Sequence, residues 1–127
     1  MKDGRHLMGL GDMTVDHSQH TTPVRDQGQC GSCWAFAGNT ALEGSYNKYN
    51  MSTNPQKLDI SDQYPVDCGR ADQSVWLFGC DGGEGSRMWD WYSKKNADGS
   101  VVNGVLTENE YPYISGITGN HQSCDLQ

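Results

Sequence analysis

The sequence predicts a small α+β domain that is mostly helical and is stabilised by disulfides. A largely apolar segment from Ser32 to Tyr49 has small and aromatic residues at helical spacing. A second helix is expected over 86–95, with short strands at Val101-Val102 and Val105-Leu106. The 127 residues contain five cysteines and only 19 residues of Leu, Ile, Val and Phe. Cross-links would therefore compensate for a thin aliphatic core.

The central helix is expected to bury one apolar face and to begin at a polar cap. Ser32 is the expected N-cap, since its hydroxyl can accept a hydrogen bond from an unpaired amide. The expected buried face consists of Trp34, Ala37, Ala41 and Leu42. In the second helix, the residues expected on one side are Met88, Trp89 and Tyr92. Both helices would then pack through these faces.

Two further segments have clear local signals. A short helix is expected to open at Ser61, and Pro65 should limit and distort it. The segment from Gly79 to Gly85 contains four glycines, which predicts a loop that lets another group approach its backbone.

Charge and hydropathy exclude several functions. The net charge of −7 makes nucleic acid and anionic membranes poor partners. A run of about 18 apolar residues, as a membrane span requires, does not occur. The odd cysteine count predicts one thiol that is free or paired outside the chain. Residues 1–13 are polar and glycine-containing, which is typical of a leader or a propeptide remnant.

Cys33 is the candidate nucleophile. It lies at the predicted start of the central helix, where unpaired amides and the helix dipole favour a negative charge on sulfur. A thiolate is the nucleophile that acyl transfer needs. Gln27 precedes it on a glycine-containing loop, and its amide could bind an oxyanion together with the Cys33 backbone N–H.

The residues alone leave other interpretations of Cys33 open. It could be a buried structural thiol or form a redox bridge with Cys30 in the Cys-x-x-Cys pattern. The same pattern can form half of a zinc site, although Cys68 and Cys80 are too far apart in sequence to supply a second close pair. No strand is predicted before the motif, which disfavours a thioredoxin-like site.

The segment Cys30-Gly31-Ser32-Cys33-Trp34 resembles the nucleophile motif of papain-like cysteine peptidases, the papain and cathepsin group. Further segments follow in the family's order, so the resemblance covers about residues 14–124. These segments are Thr22-Pro23-Val24-Arg25, Leu42-Glu43-Gly44, Ser61-Asp62-Gln63, Val66-Asp67-Cys68, Cys80-Asp81-Gly82-Gly83 and Tyr111-Pro112-Tyr113.

The resemblance implies peptide-bond hydrolysis with no metal or organic cofactor. Cys33 would be the nucleophile and Gln27 the oxyanion donor. The residues implied to line the substrate cleft are Trp34, Gly82, Gly83 and Glu84. The implied disulfides are Cys30–Cys80 and Cys68–Cys124. Lysosomes, vacuoles and the extracellular space are the implied locations, and Asn50-Met51-Ser52 is a glycosylation acceptor pattern that matters only in a secreted protein.

The resemblance also identifies what this sequence lacks. The family's catalytic His and its orienting Asn lie well over 100 residues after the nucleophile, in a barrel-like right half. None of the four histidines here, His6, His17, His20 and His121, has that context. Residues 14–127 are therefore expected to form the left, mostly helical half, inactive until a right-domain chain supplies His and Asn. The alternative is a truncated homologue that acts as a binding or structural subunit.

Three positions depart from the family pattern. His17 replaces a usual Trp, which should weaken the packing of the N-terminal segment, and Pro65 replaces a usual Leu. Glu84 stands where the family commonly has an apolar or aromatic wall for the substrate's key side chain. A carboxylate there predicts less preference for bulky apolar residues and more for basic ones.

Overall fold

The structure is a computed structural model that describes residues 13–50, 53 and 55–126. The predicted leader, residues 1–13, therefore lies outside the described residues except for Met13, which is exposed. The glycosylation pattern is described only at Asn50, the last residue of the central helix.

The described residues fold around four α-helices. They are α1 (Cys33–Asn50), α2 (Gln63–Cys68), α3 (Gly85–Ser93) and α4 (Ser115–Thr118). Three short 3₁₀ helices, Ser18–His20, Gly69–Ala71 and Gln73–Val75, connect them. The two longest helices agree with the predicted helices to within about two residues at each end.

The predicted short helix is present as α2 and tolerates its proline. The Ser61 hydroxyl accepts a hydrogen bond from the Tyr64 amide at 3.0 Å, so Ser61 does cap the first turn. Pro65 is fully buried and is the third residue of α2. The backbone N–H groups in the first turn of a helix have no intrahelical acceptor. The N–H that proline lacks would therefore have made no helical hydrogen bond here, so none is lost.

The predicted strands at Val101-Val102 and Val105-Leu106 are wrong. The β-structure in the described part of the chain consists of isolated bridges, one of which pairs Val101 with Lys95. Gly99 and Gly104 flank this region with positive φ angles of 85° and 65°, so the backbone turns instead of extending. The three valine side chains are between 42% and 54% exposed, because no neighbouring strand covers them.

The buried face of α1 is not the predicted one. Among the expected residues Trp34 is buried, but Ala37 and Ala41 are exposed and Leu42 is half-buried. The residues that α1 buries are Trp34, Ala35, Gly38, Asn39, Glu43 and Asn47. The helix therefore turns a partly polar face inward and a face of small residues outward.

Hydrogen bonds from distant segments satisfy this buried polar face. The Asn39 side chain donates to the Ser61 carbonyl at 3.0 Å and to the Asp62 carboxylate at 2.8 Å, and it accepts from the Tyr92 hydroxyl at 2.9 Å. Asn47 accepts from the Leu58 amide at 2.9 Å. Because each of these buried polar groups has a hydrogen-bond partner, burying the inward face costs little free energy despite its polarity.

Aromatic side chains form much of the core beneath α1. The Tyr64 ring lies 5.0 Å from the Trp91 ring and 5.9 Å from the Tyr111 ring, measured between centroids. Trp91 and Tyr92 are buried, whereas Trp89 is 43% exposed. The prediction that Trp89 belongs to the buried side of the second helix is therefore wrong, and Trp91 takes that place.

Helices α1 and α3 cross at a pair of glycines. The Gly38 and Gly85 backbones come so close that a side chain on Gly38 would meet the Met88 methyl at 2.5 Å and the Gly85 carbonyl at 3.2 Å. A side chain on Gly85 would meet the Trp34 carbonyl at 3.0 Å. Glycine at both positions allows α3 to lie directly on α1.

Two disulfides fasten the loops to this helical centre. They join Cys30 to Cys80 and Cys68 to Cys124, which are the pairs that the resemblance implies. Cys30–Cys80 holds the start of α1 against the glycine-rich loop, where Gly31 also pairs with Asp81 in a parallel bridge. Each bridge closes a loop of about 50 residues, which by chain entropy stabilises the fold by roughly 4 kcal/mol.

Candidate active site

Cys33 is the free cysteine of the chain and is exposed. It is the first residue of α1, so its backbone amide belongs to the first turn, whose N–H groups have no intrahelical acceptor. These amides and the positive end of the helix dipole favour the binding of an anion, such as an oxyanion, next to Cys33. The Cys30–Cys33 bridge is excluded, because Cys30 is bonded to Cys80.

Ser32 does not act as the predicted side-chain cap. Its hydroxyl is buried and lies 2.8 Å from the Tyr113 hydroxyl, while its carbonyl accepts the first amide hydrogen bonds of α1 from Ala35 and Phe36. The Tyr113 hydroxyl in turn donates to the Gln27 carbonyl at 2.7 Å, so the Ser32 hydroxyl is the donor to Tyr113. The side chain of Ser32 therefore connects the residue before Cys33 to a distant loop.

Gln27 lies beside Cys33, and both residues line one cavity of about 580 Å³. The Gln27 side-chain amide donates one hydrogen bond to the Cys30 carbonyl at 2.9 Å, which leaves its second N–H available. Tyr113 holds the Gln27 backbone, as described above. Sequence reasoning missed this role of Tyr113, although the Tyr111-Pro112-Tyr113 segment was a signal in the resemblance.

Trp34, Gly82 and Gly83 form the neighbouring rim. The Trp34 side chain is 4% exposed and donates to the Gly79 carbonyl at 3.1 Å. A side chain on Gly83 would overlap the Trp34 ring at 2.8 to 3.1 Å, so Gly83 packs directly on the indole. Gly82 has a φ of 115° and faces open space. Trp34 thus supports the glycine rim from below.

Glu84 follows this rim and is the residue before α3. Its side chain is 58% exposed. The carboxylate accepts a hydrogen bond from the Ser86 hydroxyl at 2.6 Å and lies 3.9 Å from the Arg87 guanidinium. A negative charge therefore stands at the rim, partly balanced by Arg87.

The cavity that holds Cys33 contains no histidine among the described residues. Its remaining lining consists of Thr21, Thr22, Pro23, Val24, Arg25, Phe36, Ala37, Thr40 and Ala41. His17 lines a neighbouring cavity that shares Thr21, Thr40 and Ala41 with the first. His121 lies against Gly79, and His6 lies outside the described residues. The structure thus brings Cys33 and Gln27 together without bringing a candidate base to them.

A partly buried charge cluster anchors the loop that carries Gln27. The Arg25 guanidinium lies 2.8 Å from Asp62, 3.2 Å from Asp59, 3.4 Å from Glu108 and 4.0 Å from Glu43. Burial raises the pKa of Glu43 to about 7, although the Ile60 amide donates to it at 2.6 Å and Arg25 is near. Burial likewise raises the pKa of Asp62 to about 6.

The described residues offer no group of three or more His, Cys, Asp or Glu side chains arranged to hold a metal ion. Across the same residues, no helix is long and apolar enough to span a membrane. At Cys33 the geometry offers an exposed thiol beside amide donors.

A free cysteine at the start of the central helix, a side-chain amide beside it and a glycine rim form a candidate cysteine-nucleophile site on a mostly helical, disulfide-bonded domain. Comparison with known proteins identifies the family. The family model described as "Papain family cysteine protease" matches residues 12–127. The chain belongs to this family.

Two curated relatives illustrate the similarity. Cysteine proteinase 1 of Entamoeba histolytica is 36% identical over 103 residues, which are 81% of this chain and 28% of the relative. Thiol protease aleurain of Arabidopsis thaliana is 37% identical over 103 residues, which are 81% of this chain and 24% of the relative. This chain thus spans less than a third of the length of these relatives.

Solved structures agree on the fold. The Carica candamarcensis cysteine protease CMS1MS2, solved in complex with E-64, superposes with a TM-score of 0.61 and 32% identity. The match covers 87% of this chain and 43% of that protein. A structure from a study of the mite allergens Blo t 1 and Der p 1 has a TM-score of 0.67 and 31% identity, and covers 87% of this chain and 32% of that one. The papain-like, mostly helical fold with two disulfides and few strands is confirmed.

Proposed function

We propose that this chain carries the nucleophile of a cysteine peptidase and acts on peptide bonds together with a His and an Asn supplied from outside its 127 residues. The observation that carries the proposal is the exposed, unbridged Cys33 at the first turn of α1, in one cavity with Gln27. The absence of histidine from the described lining of that cavity supports an external base. The greater length of the relatives supports a source in a longer chain, and a second chain is the alternative source.

The reaction uses the site in two steps. The external His takes the thiol proton as the Cys33 sulfur attacks the scissile carbonyl carbon, a C–S bond forms, and the carbonyl π electron pair moves onto oxygen. The Cys33 amide and the free N–H of Gln27 hold that oxyanion. The tetrahedral intermediate collapses, the C–N bond breaks, and the external His gives its proton to the leaving amine. Water then hydrolyses the thioester and returns the thiol.

The small-residue face of α1 is the proposed docking surface for the half that supplies the base. Cys33, Ala37 and Ala41 are exposed along it and line the same cavity. An uncovered surface of this kind favours association, and its small side chains allow another domain to approach closely. Peptides and proteins are the proposed substrates. Two disulfides support a lysosomal, vacuolar or extracellular location, because proteins bound for these places pass through the oxidising ER lumen, where disulfides form.

Thiol labelling tests the nucleophile directly. Alkylation of the non-reduced chain at pH 6, followed by peptide mapping, is expected to modify Cys33 and leave Cys30, Cys68, Cys80 and Cys124 unlabelled. Labelling of Cys30, or a Cys33 that resists alkylation until reduction, would contradict the proposal.

An activity assay tests whether this chain supplies the nucleophile and depends on a His and an Asn from outside it. The 127-residue chain alone is expected to hydrolyse no peptide, and addition of a right half that bears His and Asn is expected to produce turnover. Cys33→Ala should abolish that turnover. Turnover by the pure chain that Cys33→Ala removes would contradict the external base, and a stable complex without turnover would favour the binding-subunit alternative.

Gln27 can be tested in the reconstituted enzyme. Gln27→Ala is expected to lower kcat by a factor of about 10² to 10³, because one oxyanion donor is lost. The matched control is Gln29→Ala, which removes an exposed glutamine two residues away on the same loop. Equal losses in both variants would show that loop perturbation, not oxyanion binding, causes the effect.

Glu84 is the proposed specificity residue at the rim. Its exposed carboxylate should favour a basic substrate side chain over a bulky apolar one, with Arg87 reducing the preference. Profiling of the reconstituted enzyme with a peptide library, in parallel with Glu84→Gln, measures this. A strong preference of the unmodified enzyme for Leu or Phe would overturn the assignment.

A further inference from the structure

We propose that Tyr113 is a positioning residue for the oxyanion site, because its hydroxyl fixes the loop that carries Gln27 relative to the backbone amide of Cys33. Tyr113 does not line the cavity that holds Cys33, so it acts through Gln27. This inference rests on the proposed function, since it takes the Gln27 side chain and the Cys33 amide as the two oxyanion donors.

The helix fixes the direction of the Cys33 donor. The Cys33 N–H shares a rigid peptide plane with the Ser32 carbonyl. That carbonyl accepts hydrogen bonds from the Ala35 and Phe36 amides at 2.9 Å and 3.3 Å. Because the carbonyl points into α1, the N–H on the opposite side of the plane points away from the helix.

The loop that carries the Gln27 donor depends on contacts from outside it, because it forms no helix or strand. The Gln29 amide donates to the Gly116 carbonyl at 2.9 Å, and the Tyr113 hydroxyl donates to the Gln27 carbonyl at 2.7 Å. A side chain on Gly116 would meet the Gln27 carbonyl at 3.0 Å, so the two backbones are in contact. The segment 113–116 therefore supports the loop.

One hydroxyl connects this loop to the start of α1. The Tyr113 oxygen donates to the Gln27 carbonyl and accepts from the Ser32 hydroxyl, at 2.7 Å and 2.8 Å. Both distances are typical of good O–H···O hydrogen bonds. Ser32 directly precedes Cys33, so these two hydrogen bonds link the residue beside one oxyanion donor to the residue that carries the other.

Tyr113 is itself held by segments other than the loop. Its amide donates to the Glu108 carboxylate at 2.8 Å, and its ring packs edge-on against the Phe36 ring with 5.0 Å between centroids. The Ser115 amide donates to the buried side-chain oxygen of Gln63 at 2.9 Å. The hydroxyl is therefore placed by α1 and α2, which is what preorganisation of an oxyanion site requires.

Two reactions of Cys33 test the inference on the full chain, with both disulfides intact and without a catalytic base. In the first, the thiolate attacks the carbonyl carbon of p-nitrophenyl acetate and forms a C–S bond. The tetrahedral oxyanion then collapses, and the C–O bond breaks to release p-nitrophenolate. In the second, the thiolate attacks 2,2′-dipyridyl disulfide, and the released pyridine-2-thiolate takes a proton to give 2-thiopyridone.

The acylation ratio, which is the rate constant of the first reaction divided by that of the second, reports oxyanion stabilisation. Both reactions start from the thiolate, so the ionised fraction of Cys33 cancels in the ratio. Only acylation passes through an oxyanion. The rate with Cys33→Ala is subtracted, which removes acylation of other side chains.

Gln27→Ala is expected to lower the acylation ratio by at least about tenfold, since one oxyanion donor is lost. Tyr113→Phe removes only the hydroxyl and should lower the ratio about fivefold, with disulfide exchange unchanged. In the Gln27→Ala background it should have no further effect. Ser32→Ala, which removes the donor to the same hydroxyl, should lower the ratio by a smaller factor. The matched control is Tyr111→Phe, which removes a hydroxyl that donates to Asp67 at 2.9 Å and should leave the ratio unchanged.

The ways to fail are distinct. If Gln27→Ala leaves the acylation ratio unchanged, Gln27 is not an oxyanion donor, and both this inference and that part of the proposed function are overturned. The positioning role alone is overturned if Gln27→Ala lowers the ratio but Tyr113→Phe does not, or if Tyr113→Phe lowers it equally in both backgrounds. Equal slowing of both reactions by Tyr113→Phe, or a Tyr113→Phe chain that does not fold beside a Ser32→Ala chain with an unchanged ratio, would also overturn it.

Discussion

The two faces of α1 reverse the usual arrangement of a surface helix. The inward face carries Asn39, Glu43 and Asn47, and the outward face carries Cys33, Ala37 and Ala41. In most surface helices the apolar stripe is buried and the polar residues are solvated. Here the inward polar groups are bonded to specific partners, whereas Cys33, Ala37 and Ala41 are small residues exposed on the outward face.

This difference separates two tasks within one helix. The inward face fixes the helix in place, because each of its polar groups needs a particular partner at a particular position. The outward face presents the exposed thiol of Cys33 and leaves room for a ligand or another domain. Changes on the inward face should therefore affect stability, and changes on the outward face should affect reactivity or association.

The largest effect is expected from Asn39→Ala. The substitution leaves the Ser61 carbonyl, the Asp62 carboxylate and the Tyr92 hydroxyl without their buried partner. Unpaired buried groups should lower the free energy of unfolding by about 3 kcal/mol. Chemical denaturation measures this, and Thr40→Ala, at the exposed neighbouring position, is the control. A loss below about 1 kcal/mol would show that the inward face is not specified by these hydrogen bonds.

A pH series should give the next largest effect. The pKa values of Glu43 and Asp62 are raised to about 7 and about 6 from ordinary values of 4.5 and 3.8, so the folded state favours their protonated forms. The corresponding stability is fully present below the ordinary values and is lost as the pH rises through 6 to 7. The free energy of unfolding should therefore fall by on the order of 2 kcal/mol between pH 5 and pH 8.

Glu43→Gln identifies the source of that pH dependence. Glutamine keeps an acceptor for the Ile60 amide but does not titrate, so the fall between pH 5 and pH 8 should become shallower. Asp72 is a reference carboxyl, because hydrogen bonds from Lys94 and Ser74 lower its pKa to about 2, outside this range. A domain that becomes more stable as the pH rises would refute the assignment.

The smallest effect is expected on the outward face. Ala41→Lys should change the free energy of unfolding by less than about 0.5 kcal/mol, since Ala41 is exposed. Gly38→Ala, on the inward face of the same helix, should cost about 1 kcal/mol or more, because the added methyl meets Met88 and the Gly85 carbonyl. Equal changes in the free energy of unfolding from Ala41→Lys and Gly38→Ala would contradict the proposed difference between the inward and outward faces.

The sequence predicted the helices but not how the central one is oriented. The bounds of α1 follow from local composition, which changes at Ser32 and again near Asn50. Its buried face depends on Ser61, Asp62 and Tyr92, which lie 22 to 53 residues away along the chain. The helical periodicity therefore predicted that Ala37 and Ala41 are buried, although alanine is compatible with either a buried or an exposed face. The valines at 101, 102 and 105 similarly had strand propensity but no neighbouring strand.

The candidate site was more predictable than the core. The resemblance to a family motif assigns roles to individual residues, which composition and periodicity alone cannot do. Cys33 and Gln27 were proposed from their motif, and they line one cavity. Tyr113 was not assigned a role, since its link to Ser32 spans 81 residues and no local signal predicts it.

The glycine crossing of α1 and α3 has a consequence for how such a domain diversifies. Because Gly38 and Gly85 leave no space between the two backbones, the separation between the thiol and the start of α3 is fixed by contact of the main chains. Sliding one helix over the other would bring these backbones into collision. Under the specificity role proposed above for Glu84, we expect descendants of this scaffold to change substrate preference by exchanging the side chain at position 84, where variation leaves the crossing intact.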